Sequence, residues 1–253
     1  MSQIFHPVKE DMVKNRILKI EIMRFNPDEP DRMPFMQKYT VEEDKRISIL
    51  NVLQNLRDNE DPTLRFDAVC RSAVCGSCAM MINGRPGLAC RTYTSELPSG
   101  IKLHPLPFFK LIGDLSVDTG TWFRAMYERT ESWIHSSGST ENLYQDNEKM
   151  KAVYDLDRCI ECGCCAAGCA TANMSDTFIT AAGLLRAARF FIDPRDERTE
   201  SQWYDVIGND EGMFGCSSYL ACNDYCPKNI PMQNTLAMLR RKMIKAGIFG
   251  KSR

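Results

Sequence analysis

The residues best suited to chemistry in this chain of 253 residues are its twelve cysteines, which fall into three spaced groups. The first reads Cys70-x4-Cys75-x2-Cys78, with Cys90 further along the chain. The second reads Cys159-x2-Cys162-x2-Cys165-x3-Cys169. The third reads Cys216-x2-Tyr219-x2-Cys222-x3-Cys226-Pro227, with a tyrosine in a cysteine slot. Thiolates at short intervals, with Gly76 and Ser77 between them in the first loop, suit iron–sulfur clusters. A compact loop aims several sulfurs inward while its backbone N–H groups face the bridging sulfides. The first spacing with its distant fourth cysteine is the plant-type [2Fe-2S] pattern, and the other two groups share the bacterial-type run. A structural zinc site prefers two Cys-x2-4-Cys knuckles and fits the first group poorly.

In two-cluster ferredoxins the fourth cysteine of each run binds the other run's cluster. With that crossing, Cys159, Cys162, Cys165 and Cys226 supply four sulfurs, enough for [4Fe-4S]. Cys169, Cys216 and Cys222 supply three, because Tyr219 stands where the fourth would be, and the expected product is [3Fe-4S]. Cys70, Cys75, Cys78 and Cys90 take [2Fe-2S]. Eleven of the twelve cysteines are then used, and Cys164, off the template spacing, reads as a buried, inert thiol. The competing reading of Tyr219 is an ordinary core aromatic, with the fourth ligand coming from water or another side chain; nearby Asp224 lies off the spacing.

The rest of the chain carries no companion chemistry. No Gly-x-Gly-x-x-Gly follows a strand, so no dinucleotide or flavin fold is visible. His6, His104 and His135 are far apart and read as surface residues rather than ligands. A net charge of −1 makes no electrostatic case for nucleic acid. No run of eighteen apolar residues exists, so no transmembrane segment is expected, and residues 1–16 lack the apolar core of a secretory signal. In a reducing cytosolic compartment, dense cysteine points to metal binding rather than disulfides. Such a chain carries single electrons, and its donor and acceptor must lie in other subunits.

Two sets of elements must position these groups. Ile17 to Phe25 and Phe35 to Val41 read as strands joined across Pro27, Asp28, Pro30 and Pro34. Ser48 is a candidate cap for a helix with Ile49, Val52, Leu53 and Leu56 on one face, limited by Pro62. Ala79 to Ile82, Asn83-Gly84 and Leu88 to Arg91 read as a hairpin whose return arm carries Cys90, and Ile101 to His104 as a last short strand. From Thr119 the signals turn helical. Trp122, Phe123, Met126, Tyr127, Trp133 and Ile134 form one stripe. Ser175 is a candidate cap for a helix through Leu185 and Ala188 that ends before Asp193-Pro194. A final helix starts at Pro231 and stops at Gly247. Residues 136–149 read as a polar loop. The basic set Arg240, Arg241, Lys242, Lys245, Lys251 and Arg253 reads as a solvated helix face, with contact to anionic lipid as the alternative. The fold class expected is α+β: an N-terminal plant-type ferredoxin-like β-grasp domain over 1–118 and a C-terminal all-helical, bacterial-ferredoxin-like domain over 119–253.

These residues resemble the iron–sulfur subunit of the succinate dehydrogenase / fumarate reductase family over nearly the whole chain. The resemblance rests on Cys70-Arg-Ser-Ala-Val-Cys75-Gly-Ser-Cys78, Asn83-Gly84-Arg85-Pro86, Cys90-Arg91-Thr92, Pro105 to Asp118, Cys159-Ile-Glu-Cys162-Gly-Cys-Cys165, Ala181-Ala-Gly-Leu184 and Cys226-Pro227-Lys228. The wording of Cys159 to Cys165 and of Asp196-Glu-Arg-Thr199 looks most like menaquinol:fumarate reductases with a dihaem cytochrome b. The resemblance implies a flavoprotein subunit that holds FAD at a dicarboxylate site, and a membrane cytochrome b carrying haem b that exchanges electrons with menaquinone. Electrons would pass along [2Fe-2S], [4Fe-4S] and [3Fe-4S], with the first domain toward the flavoprotein and the second toward the cytochrome. It also implies a peripheral place on the cytoplasmic side of the inner membrane, with fumarate reduction favoured over succinate oxidation. Cys78 stands where some members have Asp, and Ala170 where many have Pro. The branch that binds ubiquinone beside [3Fe-4S] uses a Trp and a His, where this chain has Ala170 to Asn173 and Ser217, so transfer to a haem is the expectation. A free ferredoxin-like carrier and a zinc scaffold remain as alternatives.

Overall fold

Alternating apolar residues build the first layer. In the computed structural model, which describes residues 16–29, 31–43, 46–138 and 147–249, β1 (Arg16–Arg24) buries Leu18, Ile20 and Ile22 on one face. It pairs antiparallel with β2 (Phe35–Glu43), placing Leu18 opposite Val41 and Ile20 opposite Tyr39. Residues two apart on a strand share a face, so this register puts one apolar side against the core. β3 (Ala79–Ile82), β4 (Arg85–Leu88) and β5 (Gly100–His104) complete a sheet of order β2-β1-β5-β3-β4, with β5 parallel to β1. α1 (Ile49–Asn59) buries Ile49, Val52, Leu53 and Leu56 in the same core. Ser48 caps it: its hydroxyl accepts from the Asn51 N–H, and the Asn51 side chain accepts from the Ser48 N–H.

Arg24 anchors the rim of this core. It donates to Gln37, Tyr39, Asp61 and Thr63 and pairs with Asp114 at 3.1 Å. Asp114 also accepts from the backbone N–H groups of Phe25 and Arg65. Asp114 sits at positive φ in the turn of a hairpin, β6 (Lys110–Gly113) and β7 (Ser116–Asp118), that the sequence pattern did not reveal. Its strands are short and show no clean alternation; the Gly113-Asp114 pair was the available turn signal.

The second layer is helical: α2 (Gly120–Thr130), α3 (Asn147–Asp157), α4 (Cys164–Ala167), α5 (Ala170–Met174), α6 (Thr180–Ile192), α7 (Glu200–Ile207), α8 (Ala221–Asp224) and α9 (Met232–Phe249). α6 is buried on nearly every side, as expected of a helix that is apolar apart from Arg186 and Arg189. Its small residues Ala181, Ala182, Gly183, Ala187 and Ala188 let α2, α3, α4, α7 and α9 pack around it.

Several expected boundaries move. β4 begins directly after the Asn83-Gly84 turn, because a two-residue turn sets Ile82 opposite Arg85; Cys90 therefore lies in the turn beyond β4, not on the return arm. Ser175 ends α5 and does not cap α6, whose N-cap Ile179 bonds instead through its backbone to Glu211. The aromatic stripe is not one face: within α2 Trp122 and Met126 are buried while Tyr127 (51%) is exposed, and left-handed Glu131 ends the helix before the exposed Trp133 (56%). α9 runs through Gly247, where a side chain would meet the Tyr204 ring at 2.7 Å; close approach, not helix termination, accounts for this glycine. α3 occupies part of the segment read as a polar loop, because Val153 and Leu156 give it a narrow buried edge. Met1 to Asn15, His6, residues 139–146, Lys251 and Arg253 lie outside the described residues.

The Arg24 network predicts acid sensitivity. Burial opposes the charge on Asp61, but hydrogen bonds from Thr63, Tyr39 and Arg24 outweigh it and hold the carboxyl well below its usual range. Its contribution is complete above the unfolded value of about 3.9 and is lost as pH falls through the folded value. Asp61→Asn is predicted to cost about 1–3 kcal/mol at neutral pH and to flatten the acid limb of a stability–pH curve followed by circular dichroism. An unaltered acid limb would count against this network.

Candidate iron–sulfur centres

The loop from Cys70 to Cys78 has no regular structure, and its backbone turns inward. Arg71, Ala73 and Gly76 are all at positive φ. Such alternation makes a concave nest of N–H groups suited to negative charge. The amides of Ser72, Val74 and Cys75 each donate to Cys70 Sγ at 3.3 Å, and the Cys70 amide donates to Cys75 Sγ at 3.5 Å. Ser77 Oγ lies 3.2 Å from Cys75 Sγ. Burial opposes ionisation of Cys75, yet the hydrogen bonds from Ser77 and from backbone N–H groups bring its thiol down to about 6. Cys78 is buried and its thiol is pushed up to about 12, with Cys90 hydrogen-bonded beside it and the Cys75 charge acting on it. The Ala89 amide donates to the Cys78 carbonyl, which is how Cys90 reaches this group from outside β4. All four cysteines expected in the first group thus come together.

The other two groups interlock. Cys159 lies in the field of Cys162 and of Cys226, and its thiol is pushed up to about 12, chiefly by burial. Burial also raises Cys165 strongly, and its neighbours are Cys162, Cys159, Cys222 and Cys226. Cys222, raised to about 11 by burial, sits with Cys216 and Cys169. Cys226 thus lies within electrostatic reach of the second run and Cys169 within reach of Cys222 in the third, while Cys222 also acts on Cys165.

The backbone repeats as the cysteines do. Glu161 and Gly163, both left-handed, flank Cys162, and α4 follows. Ser218 and Leu220, also left-handed, flank Tyr219, and α8 follows at the same spacing. Tyr219 thus occupies a slot built like that of Cys162. It is 81% exposed, which removes the reading of it as a core aromatic, and Asp224 is likewise exposed. Cys164 is fully buried and hydrogen-bonded with Cys162, which holds its thiol well above the ordinary range. With Ala167 it packs into the core of the sheet, while Cys165 and Ala166 pack into the helical core, so α4 lies on the seam.

Some neighbours escaped sequence reasoning. Arg240 is not simply solvated: it donates to the Cys216 carbonyl and, at 2.7 Å, to Ser218 Oγ. Lys242, from the same basic set, pairs with Glu200 at 2.6 Å, whereas Arg241 and Lys245 stay exposed. Arg186 pairs with Glu161 beside Cys162 and lies over the Tyr127 ring. A cation on the largely apolar α6, which it shares with Arg189, was the available signal for Arg186; nothing in the spacing distinguished Arg240. Thr171 Oγ1 reaches the Gly215 carbonyl at 3.2 Å and Ser217 Oγ at 3.1 Å, tying α5 to the third group. His104 lies on β5, and His135 stacks on Trp133 with Glu131 at 3.1 Å.

The residues fit iron–sulfur clusters. The donor set is all thiol, the first loop directs amides at sulfur, and buried thiols this reluctant to ionise need a cationic core to become thiolates. Among the described residues no three Cys, His, Asp or Glu side chains converge tightly enough to share one ion. A cluster asks for a wider shell, with one sulfur at each iron corner.

A family model for a 2Fe-2S iron-sulfur cluster binding domain matches residues 19–124, and one for a 4Fe-4S dicluster domain matches residues 155–230. The chain is 51% identical over 234 residues to the fumarate reductase iron-sulfur subunit of Wolinella succinogenes, an alignment covering 90% of this chain and 98% of that protein. It is 33% identical over 234 residues to the succinate dehydrogenase iron-sulfur subunit of Coxiella burnetii, covering 90% and 97%. Among solved structures, a chain of the Mycobacterium smegmatis Sdh1 complex in the apo form has the same fold, with a TM-score of 0.80 over 94% of this chain and 99% of that one at 22% identity. This chain belongs to the family of iron–sulfur subunits of fumarate reductases and succinate dehydrogenases.

Proposed function

We propose that the chain is the electron relay of a menaquinol:fumarate reductase. Cys70, Cys75, Cys78 and Cys90 hold [2Fe-2S]; Cys159, Cys162, Cys165 and Cys226 hold [4Fe-4S]; Cys169, Cys216 and Cys222 hold [3Fe-4S]. When bound, these clusters supply one-electron storage at three successive points. The interlocking of Cys226 with the second run and Cys169 with the third, beside an outward-facing Tyr219, is the observation that carries this reading. The division falls between residues 118 and 119, where β7 has ended and α2 is about to begin.

The chain's own residues have limited tasks. Backbone N–H groups and Ser77 stabilise thiolate charge in the first loop. Arg240 and Thr171 fix the third group by binding the carbonyls of Cys216 and Gly215. The catalytic partner is a flavoprotein that holds FAD and binds the dicarboxylate. The membrane partner is a dihaem cytochrome b with haem b, serving menaquinone on the cytoplasmic side of the inner membrane. Among the described residues no helix is long and apolar enough to cross a membrane. An apolar groove of Met213, Leu220, Leu236 and Ile244, bordered by Arg240 and Arg241, lies next to the third cysteine group and suits contact with the membrane partner. Ser217 and Thr171 are occupied with each other, which favours handing electrons to a haem over shaping a quinone pocket.

Two outcomes are expected. In the intact complex, fumarate reduction with a menaquinol analogue proceeds faster than succinate oxidation; the opposite preference would reassign the direction to succinate:quinone oxidation. A lone brown protein without flavin or haem absorbance would instead support a free carrier. Tyr219→Cys places a fourth sulfur in a slot with the backbone of the Cys162 slot, and is predicted to replace the oxidised three-iron EPR signal by a four-iron signal on reduction. Retention of the three-iron signal would contradict the assignment of that slot.

A further inference from the structure

Gly76 lies between Cys75 and Cys78, at φ +76. Conformation alone does not require glycine here, because Arg71 and Ala73 adopt the same left-handed region in the same loop at φ 57 and 55. The space does require it. A Cβ at position 76 would lie 2.8 Å from Cys162 Cβ, 2.9 Å from Cys162 Cα and 3.1 Å from the Ile160 carbonyl oxygen. None of these is the tip of a flexible side chain, so no rotamer change relieves the overlap. Both sides of the contact are also braced. The Gly76 carbonyl accepts from the Ala79 amide at the start of β3. On the far side, Ile160 and Cys162 pack against the core of the sheet, and Cys164 and Ala167 of α4 are buried within it.

We infer that Gly76 is a positioning residue: its missing side chain lets the first cysteine loop seat on Cys162 and so sets the gap between the two-iron and four-iron clusters. This rests on the assignment of Cys75 and Cys162 to those clusters. Electron tunnelling falls exponentially with the gap between centres, and the contact through Gly76 places a residue adjoining one cluster against a ligand of the next. An added methyl group must push the two loops apart, since neither backbone nor Cβ atoms can turn aside.

The test uses the anaerobically purified complex, with iron and sulfide analysis and EPR power saturation of the reduced two-iron signal. In the wild type, reducing the four-iron cluster is expected to speed relaxation of the two-iron signal strongly. In Gly76→Ala, with both clusters present, that enhancement falls and electron transfer between the two centres slows. Gly84→Ala serves as the strain control, since Gly84 is at φ +79 with nothing within 4 Å of an added Cβ; its enhancement stays at the wild-type level. Unchanged enhancement in Gly76→Ala with full cluster content overturns the spacer role and leaves the ligand assignment standing. Absence of enhancement in the wild type overturns it even if Gly76→Ala fails to assemble. A wild-type complex lacking one of the two clusters refutes the ligand assignment itself.

Discussion

Cys226 of the third cysteine group lies within the electrostatic field of Cys159 and Cys165 of the second, and the proposed four-iron and three-iron clusters depend on that approach. On the proposed crossing, neither run of cysteines completes a sulfur set alone. Cys165 and Cys222 ride on short helices, α4 and α8, which need an external frame because isolated helices of this length are unstable in water. α6 is that frame: its small residues admit the neighbouring helices closely, and α9 packs on it and reaches the third group through Arg240. The frame must be rigid, because buried thiolates depend on several sulfurs arriving together around a cationic core.

A second constraint joins the two layers. α4 contributes Cys165 and Ala166 to the helical core and Cys164 and Ala167 to the sheet core. Cys164 is therefore a packing residue at a seam, small and apolar enough to be fully buried there. Phe109 extends the seam through edge-on contacts with Phe108 and Trp122, and it meets Gly163 at the start of α4. Sites separated by more than 80 residues in sequence, such as Gly76 and Cys162, are held in contact by apolar packing rather than by ion pairs.

The cysteine groups were legible because ligand spacing is a strong local signal, and so were β1, β2 and α1, whose burial follows plain periodicity. The capping box at Ser48 was readable in part, since Asn51 fills the role usually given to Glu or Gln. What escaped was set by distant partners. Gly247 looked like a helix stop, but the reason for it is the Tyr204 ring, which no local pattern reports. Arg240 looked like one of several solvated cations, and only the folding back of the third group gives it a carbonyl to bind. The β6–β7 hairpin is fixed by Asp114 accepting from Phe25 and Arg65 amides far off in sequence. Tyr219 was legible as a break in the cysteine spacing; its outward orientation, and the match of its flanking backbone to that of Cys162, required the structure.

The crossing of ligands is tested most directly by replacing each crossed cysteine separately and reading the clusters by EPR in the oxidised and reduced states. Cys226→Ala is predicted to abolish the reduced four-iron signal while the oxidised three-iron signal survives, and Cys169→Ala is predicted to do the reverse. If Cys226→Ala instead removed the three-iron signal and spared the four-iron one, each run would complete its own cluster and the account would be wrong.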